Sequence, residues 1–77
     1  MRKTRPRGEA ATIQRILGEN IRELRDAAGW NQQELADRAD ISRAYLSRIE
    51  TGSVNVSLAV IMRIARVLGT TIIALLS

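Results

Sequence analysis

Apolar residues recur along most of this chain at helical spacing, and each run is closed by a glycine or opened by a capping side chain. Between Ala10 and Ala28 the residues Leu17, Ile21, Leu24 and Ala28 fall at spacings of 4, 3 and 4, one face of a helix. Ile13 and Ile16 extend that face a turn earlier, and Gly29 follows as a C-cap residue. Asn31 opens a second helix, with Glu34 three residues on in a capping-box arrangement and Leu35, Ala36 and Ala39 as its apolar positions. Asp40 and Ile41 make a very tight connection. Ser42 caps a third helix from Arg43 to Glu50 or Thr51, which Gly52 stops. Ser57 caps a fourth, Leu58 to Leu68, ending at Gly69, and Thr70 or Thr71 caps a last short one, Ile72 to Leu76. There is no strand signal and no repeat. The expected fold class is all-α, five short helices.

The second and third patterns deserve separate treatment because almost nothing lies between them. A helix, a turn of about three residues and a second helix crossing it steeply is a helix-turn-helix. Ala36, Ala39, Leu46 and Ile49 can interlock two helices that neither would stabilise alone. On a helical wheel Leu46 and Ile49 point inward, Arg43, Ala44, Ser47, Arg48 and Thr51 share the opposite face, and Tyr45 sits on the boundary. An end presented outward by a tight turn fits a DNA major groove, and its free N–H groups and dipole favour phosphate. Arg43 and Arg48 supply forked, permanently charged donors suited to guanine edges and phosphates. Ala44 leaves room for a thymine methyl, and Ser47 can donate or accept. A plain amphipathic helix with a solvated arginine face is the competing reading. The helix's place directly after this turn favours DNA.

Composition narrows the chemistry. Seventy-seven residues make one domain with a thin core. Without cysteine there is no disulfide framework or thiolate metal site, and without histidine the commonest general base and metal ligand are missing. Neither an enzyme nor a bound metal or cofactor is expected. No apolar signal segment opens the chain, and the longest apolar run, Ile72 to Leu76, is too short to span a bilayer, so a soluble cytoplasmic protein with no membrane partner is expected. The net charge of +4 is uneven: Arg2, Lys3, Arg5 and Arg7 supply four positive charges, while from Gly8 onward eight arginines and eight acids cancel. Residues 1–9, with Pro6 and Gly8 among charges, are expected to form a disordered basic arm able to touch a polyanion, and residues 10–77 the DNA-binding domain.

The segments "RELRDAAGWNQQELA", "ISRAYLSRIETG" and "SLAVIMRIARVLG", in that order and spacing, resemble the lambda-repressor-like, Cro/cI-type (XRE) helix-turn-helix family over residues 17–76. The resemblance implies five helices and a sequence-specific regulator of transcription. It places Asn31 and Gln32 against phosphate, Arg43, Ala44, Ser47 and Arg48 toward the bases, and Thr51 to Asn55 against the backbone. With Ser42 and Tyr45 beside them, the expected DNA-contacting set is Asn31, Gln32, Ser42, Arg43, Ala44, Tyr45, Ser47, Arg48, Thr51, Ser53 and Asn55. Tyr45 has three open roles: packing at the helix edge, touching a thymine methyl, or bonding a phosphate. Arg25 and Glu50 would form a structural ion pair tying the third helix to the first. Within the family, "ISRAYLSRIETG" and "NVSL" look most like the controller proteins of restriction–modification systems; phage repressors and antitoxin-type regulators are the other small members. Two departures stand out. Asp40 occupies a turn position where the family usually has glycine, and Ile73 and Ala74 stand where the last helix is commonly charged.

The second departure bears on assembly. The fourth helix has a core stripe of Leu58, Ile61, Ala65 and Leu68 and a second stripe of Val60, Ile64 and Val67. With Ile73, that second stripe would be an apolar patch on a monomer, so Val60, Ile64, Val67 and Ile73 are the expected interface of a two-fold homodimer. Two recognition helices about 34 Å apart would then read a palindromic operator. With no residues left for a sensing domain, regulation is expected to follow concentration and cooperative occupancy, with RNA polymerase as the further partner. The alternative from another class is a protein-interaction adaptor that binds a different chain through the apolar patch, a use of the scaffold for which Arg43 and Arg48 have no role.

Overall fold

The computed structural model describes residues 6–77, with side chains from Ala11 onward. Five helices follow one another: α1 (Pro6–Ala27), α2 (Gln32–Ala39), α3 (Arg43–Glu50), α4 (Leu58–Leu68) and α5 (Ile72–Leu75). The helix starts and stops come from local chemistry. Asn31 and Glu34 form a reciprocal capping box, Asn31 Oδ1 accepting from the Glu34 N–H and Glu34 Oε1 from the Asn31 N–H, both at 2.8 Å. The hydroxyls of Ser42, Ser57 and Thr71 accept from the backbone N–H groups of Tyr45, Val60 and Ala74 to start α3, α4 and α5. The α2–α3 corner turns on Asp40, which sits in the left-handed region at φ 59°, ψ 47°, while the Ile41 N–H closes on the Ala36 carbonyl at 3.0 Å. A short carboxylate residue tolerates that conformation, so the turn closes without a glycine.

α1 is the brace. It packs against α3, α4 and α5, while α2 packs on α3 and α4. Leu17 and Ile21 of α1, Leu35 of α2, Leu46 and Ile49 of α3, Ile64 of α4 and Leu75 of α5 meet in one core. The Ala36 and Ala39 methyls let α2 lie close to its neighbours, as small residues in a packed face do. At one point α1 approaches α3 more closely than any side chain would permit: a Cβ on Gly18 would lie 2.4 Å from the Ile49 carbonyl oxygen and 2.6 Å from that of Glu50. A glycine costs a helix interior about 1 kcal/mol relative to alanine. Here it is the residue that lets the backbones touch.

Ile13, expected to extend the buried face of the first helix, is 53% exposed, and three further expectations change. α1 begins at Pro6, four residues before Ala10, so residues 6–9 belong to the helix rather than to an arm. Proline suits a first helical position because its missing N–H is not needed there. The basic arm's remaining residues, 1–5, lie outside the described residues. Second, Ile64 is not on an exposed stripe; it is 0% exposed and central to the core. Third, Leu58, expected in the core, is 63% exposed. The two α4 errors share one cause. At 100° per residue Ile61 and Ile64 stand only about 60° apart, so both fit one buried arc, and Leu58 falls beyond its edge. Val60 and Val67 are half-buried against the same core.

Candidate nucleic-acid interface

The outward face of α3 carries Arg43, Ala44 and Arg48, all exposed, with Ser47 half-buried between them. Neither Arg43 nor Arg48 has an ion-pair partner among the described residues. Their guanidinium groups are therefore free to meet a ligand. Ser42 uses its Oγ as acceptor in the cap, which leaves the hydroxyl hydrogen to donate outward. Tyr45 is half-buried and packs against the core, so its ring belongs to the helix edge.

The first turn of α2 forms the second part. The Gln32 and Gln33 backbone N–H groups have no acceptor among the described residues, as expected at a helix start. Asn31 is exposed; its oxygen is held in the cap and its Nδ2 has no acceptor among the described residues. Gln32 is half-buried and turns its Nε2 inward to Glu50 Oε1 at 3.0 Å. The loop after α3 forms the third part. Thr51 Oγ1 donates to the Arg48 carbonyl at 3.1 Å and lies 2.8 Å from Ser53 Oγ, so these hydroxyls order the turn that leads into Gly52. Asn55 Oδ1 accepts from Gln14 Nε2 of α1.

Behind this surface lies a buried polar joint. Arg25 Nε donates to Glu50 Oε2 at 2.7 Å and Arg25 Nη2 to Glu50 Oε1 at 3.0 Å, a two-pronged pair between α1 and the last residue of α3. Arg25 Nη1 donates to the Trp30 carbonyl at 2.9 Å, and the Glu50 side chain is 3% exposed. The hydrogen bond to Glu50 raises the Arg25 pKa above its ordinary value; desolvation opposes it, and the charges of Glu50 and Asp26 add to it. Arg38, by contrast, is committed locally. Its guanidinium lies 4.3 Å over the Trp30 ring and donates to the Glu34 carbonyl at 3.2 Å.

Sequence reasoning missed Gly18, Gln14 and the inward bond of Gln32. Gly18 carried a signal, a glycine inside a strongly helical stretch, which is costly unless a neighbour needs the space. Gln14 and Gln32 carried none, because an amide on a helix looks the same whether it faces water or a carboxylate. Of the proposed interface residues, Ile73 is 79% exposed and Ile64 is excluded by its burial; Met62 and Leu76 are exposed apolar residues not anticipated.

A sequence model of the helix-turn-helix family matches residues 21–75. The chain belongs to that family, in its Cro/cI (XRE-type) branch, and is a DNA-binding transcriptional regulator. It is 32% identical over 65 residues to the control protein C.SmaI of Serratia marcescens, covering 84% of this chain and 77% of that protein. It is 38% identical over 58 residues to the control protein C.BamHI of Bacillus amyloliquefaciens, covering 74% and 72%. Among solved structures it is similar to the restriction–modification controller protein C.AhdI of Aeromonas hydrophila, with a TM-score of 0.77 and 35% identity over 80% of this chain and 94% of that one. The biofilm master regulator SinR, solved in complex with DNA, superposes with a TM-score of 0.74 and 31% identity over 79% of this chain and 98% of that one. No helix among the described residues is long and apolar enough to cross a membrane.

Proposed function

We propose that the chain acts as a cytoplasmic homodimer on a palindromic site in double-stranded DNA, as a controller of the restriction–modification type. The observation that carries the DNA contact is the outward, unpaired face of Arg43, Ala44 and Arg48 beside the open N–H groups of α2. Base readout falls to α3, phosphate contact to the α2 start and the Thr51–Asn55 loop, with the arm's cations adding charge contacts. Similarity to two control proteins and to C.AhdI supports the controller subtype. Whether transcription rises or falls depends on where the dimer sits relative to RNA polymerase. Selecting bound sites from random duplexes tests the reading. It should return a two-fold sequence with half-sites about one helical turn apart. Binding to random duplex should fall steeply with salt. Absence of any duplex binding at low salt would leave the adaptor reading standing.

For the proposed dimer, the exposure pattern supports a surface other than the stripe expected from the sequence. Leu58 and Met62 of α4, Ile73 of α5 and Leu76 at its end are all exposed, whereas Ile64 is fully buried. A groove of about 320 Å³ lined by Met62, Ala65, Arg66, Thr70, Thr71 and Ile72 lies between α4 and α5. An exposed apolar residue on the helix that forms one wall of this groove suits a two-fold pairing in which Ile73 of each copy meets the other's α4–α5 groove. Light scattering at micromolar protein should give a dimer, and Ile73→Glu a monomer. A monomeric parent protein removes this part of the proposal.

A further inference from the structure

Glu50 is where three elements converge. Its carboxylate accepts twice from Arg25 of α1 and once from Gln32, the first residue of α2, while Glu50 itself ends α3. Arg25 already supplies the neutralising charge, so the third donor is not needed to balance Glu50. What it adds is a direct link between the two helices of the DNA-binding unit, at the end opposite their tight turn. The turn at Asp40 fixes the C-terminus of α2 to the N-terminus of α3. Gln32 to Glu50 fixes the N-terminus of α2 to the C-terminus of α3.

Gln32 also stands at the surface. An amide nitrogen has two hydrogens. One goes to Glu50; the side chain is half-exposed, beside its own unpaired N–H and that of Gln33. The same nitrogen can therefore hold Glu50 and meet an anion at the helix start, where the dipole also favours one. A glutamate in its place would set two carboxylates together, and an alanine would leave the ends of α2 and α3 unlinked.

We propose that Gln32 is a positioning residue that latches the phosphate seat on α2 to the base-reading helix α3 through Glu50, so that backbone contact and base contact are set in one register. The inference rests on the DNA-binding reading above. It makes Gln32 a determinant of discrimination between sites, which a simple phosphate contact is not.

The experiment compares the unsubstituted protein with Gln32→Met, which keeps the length and removes both donors, and Gln32→Lys, which restores a donor to Glu50. Each is titrated onto a duplex selected by the unsubstituted protein and onto random duplex at the same salt, with folding checked by circular dichroism. Gln32→Met should reduce the preference for the selected site about tenfold, the scale of one hydrogen bond to a charged group. Gln32→Lys should restore that preference while tightening binding to both duplexes. Equal weakening on both duplexes by Gln32→Met, no change, or no rescue by lysine overturns the inference. If Gln32→Met does not fold, Gln32→Lys decides: a preserved preference supports the latch and a lost one refutes it. An unsubstituted protein that binds no duplex refutes the DNA reading itself, a distinguishable result.

Discussion

Gly18→Ala is the most incisive perturbation the packing offers. In an isolated helix it should help, because alanine is favoured over glycine by about 1 kcal/mol. In this protein the new methyl would lie 2.4 Å from the Ile49 oxygen, 2.6 Å from the Glu50 oxygen and 2.8 Å from the Glu50 carbonyl carbon. Carbon–oxygen contacts settle near about 3.3 Å, so the end of α3 must withdraw by roughly one ångström. All three atoms are backbone, and no side chain can swing aside. The withdrawal carries Glu50 with it, and the 2.7 Å bond from Arg25 Nε would stretch beyond useful range. Overpacking costs about 1–3 kcal/mol and a weakened charge-assisted bond about 1.5–3 kcal/mol. Set against the propensity gain, the net loss is about 1.5–5 kcal/mol. That is a large share of the roughly 4–12 kcal/mol expected for a domain of this size. Urea unfolding followed by circular dichroism measures it as a lower midpoint at unchanged slope. The substituted protein should also melt lower by roughly 6–40 °C. A Gly18→Ala protein as stable as its parent, or more so, would show that α1 and α3 do not approach in this way.

Four further outcomes follow from the same geometry. Arg43→Ala should cost about 1–3 kcal/mol on the selected operator and much less on random duplex; equal weakening in a fluorescence-anisotropy titration would assign Arg43 to phosphate alone. Asp40→Gly should raise stability by up to about 1 kcal/mol in urea unfolding, since φ 59° is strained for aspartate and free for glycine, and a loss would mean the carboxylate has a hidden role. Arg25→Ala should destabilise by about 3–5 kcal/mol, because Glu50 would be left buried and charged. The double change Arg25→Met with Glu50→Leu should be near neutral in stability yet lose preference for the operator, and retained preference would show that the pair has no part in placing α3.

The helix order, the caps at Asn31, Ser42, Ser57 and Thr71 and the corner at Asp40 were legible because each depends on residues within four positions of one another. Leu46 and Ile49 pointing inward and Arg43 and Arg48 pointing outward were equally legible from a two-turn wheel. α4 was harder. With apolar residues at Leu58, Val60, Ile61, Met62, Ile64, Val67 and Leu68 the wheel is apolar nearly all round, and the buried arc is chosen by α1, α2 and α5, not by α4 itself. The start of α1 failed for a different reason. Pro6 and Gly8 look like loop punctuation, yet proline is compatible with a first turn and the helix-forming residues after them carry it on. Contacts spanning tens of residues, such as Gln14 with Asn55 and Gln32 with Glu50, leave no trace in local pattern at all.

The polar joint at Glu50 makes sense once the size of α3 is considered. Eight residues are too few to hold a helix in water unaided. Leu46 and Ile49 are its only fully buried apolar anchors, with Tyr45 half-buried against the core at the helix edge, and such contacts are not directional. Apolar contacts alone would let so short a helix rock about its axis while staying buried. Reading bases tolerates little rocking, since a forked arginine must meet its acceptors within hydrogen-bond range. Hydrogen bonds supply the direction that apolar contact lacks. Arg25 and Gln32 hold the end of α3 from two sides, and Gly18 lets α1 come close enough for Arg25 to reach. A buried ion pair is a poor way to gain stability, and an apolar pair of equal volume would commonly do as well. Its presence behind the proposed DNA-reading face is therefore better explained by where it holds α3 than by how strongly.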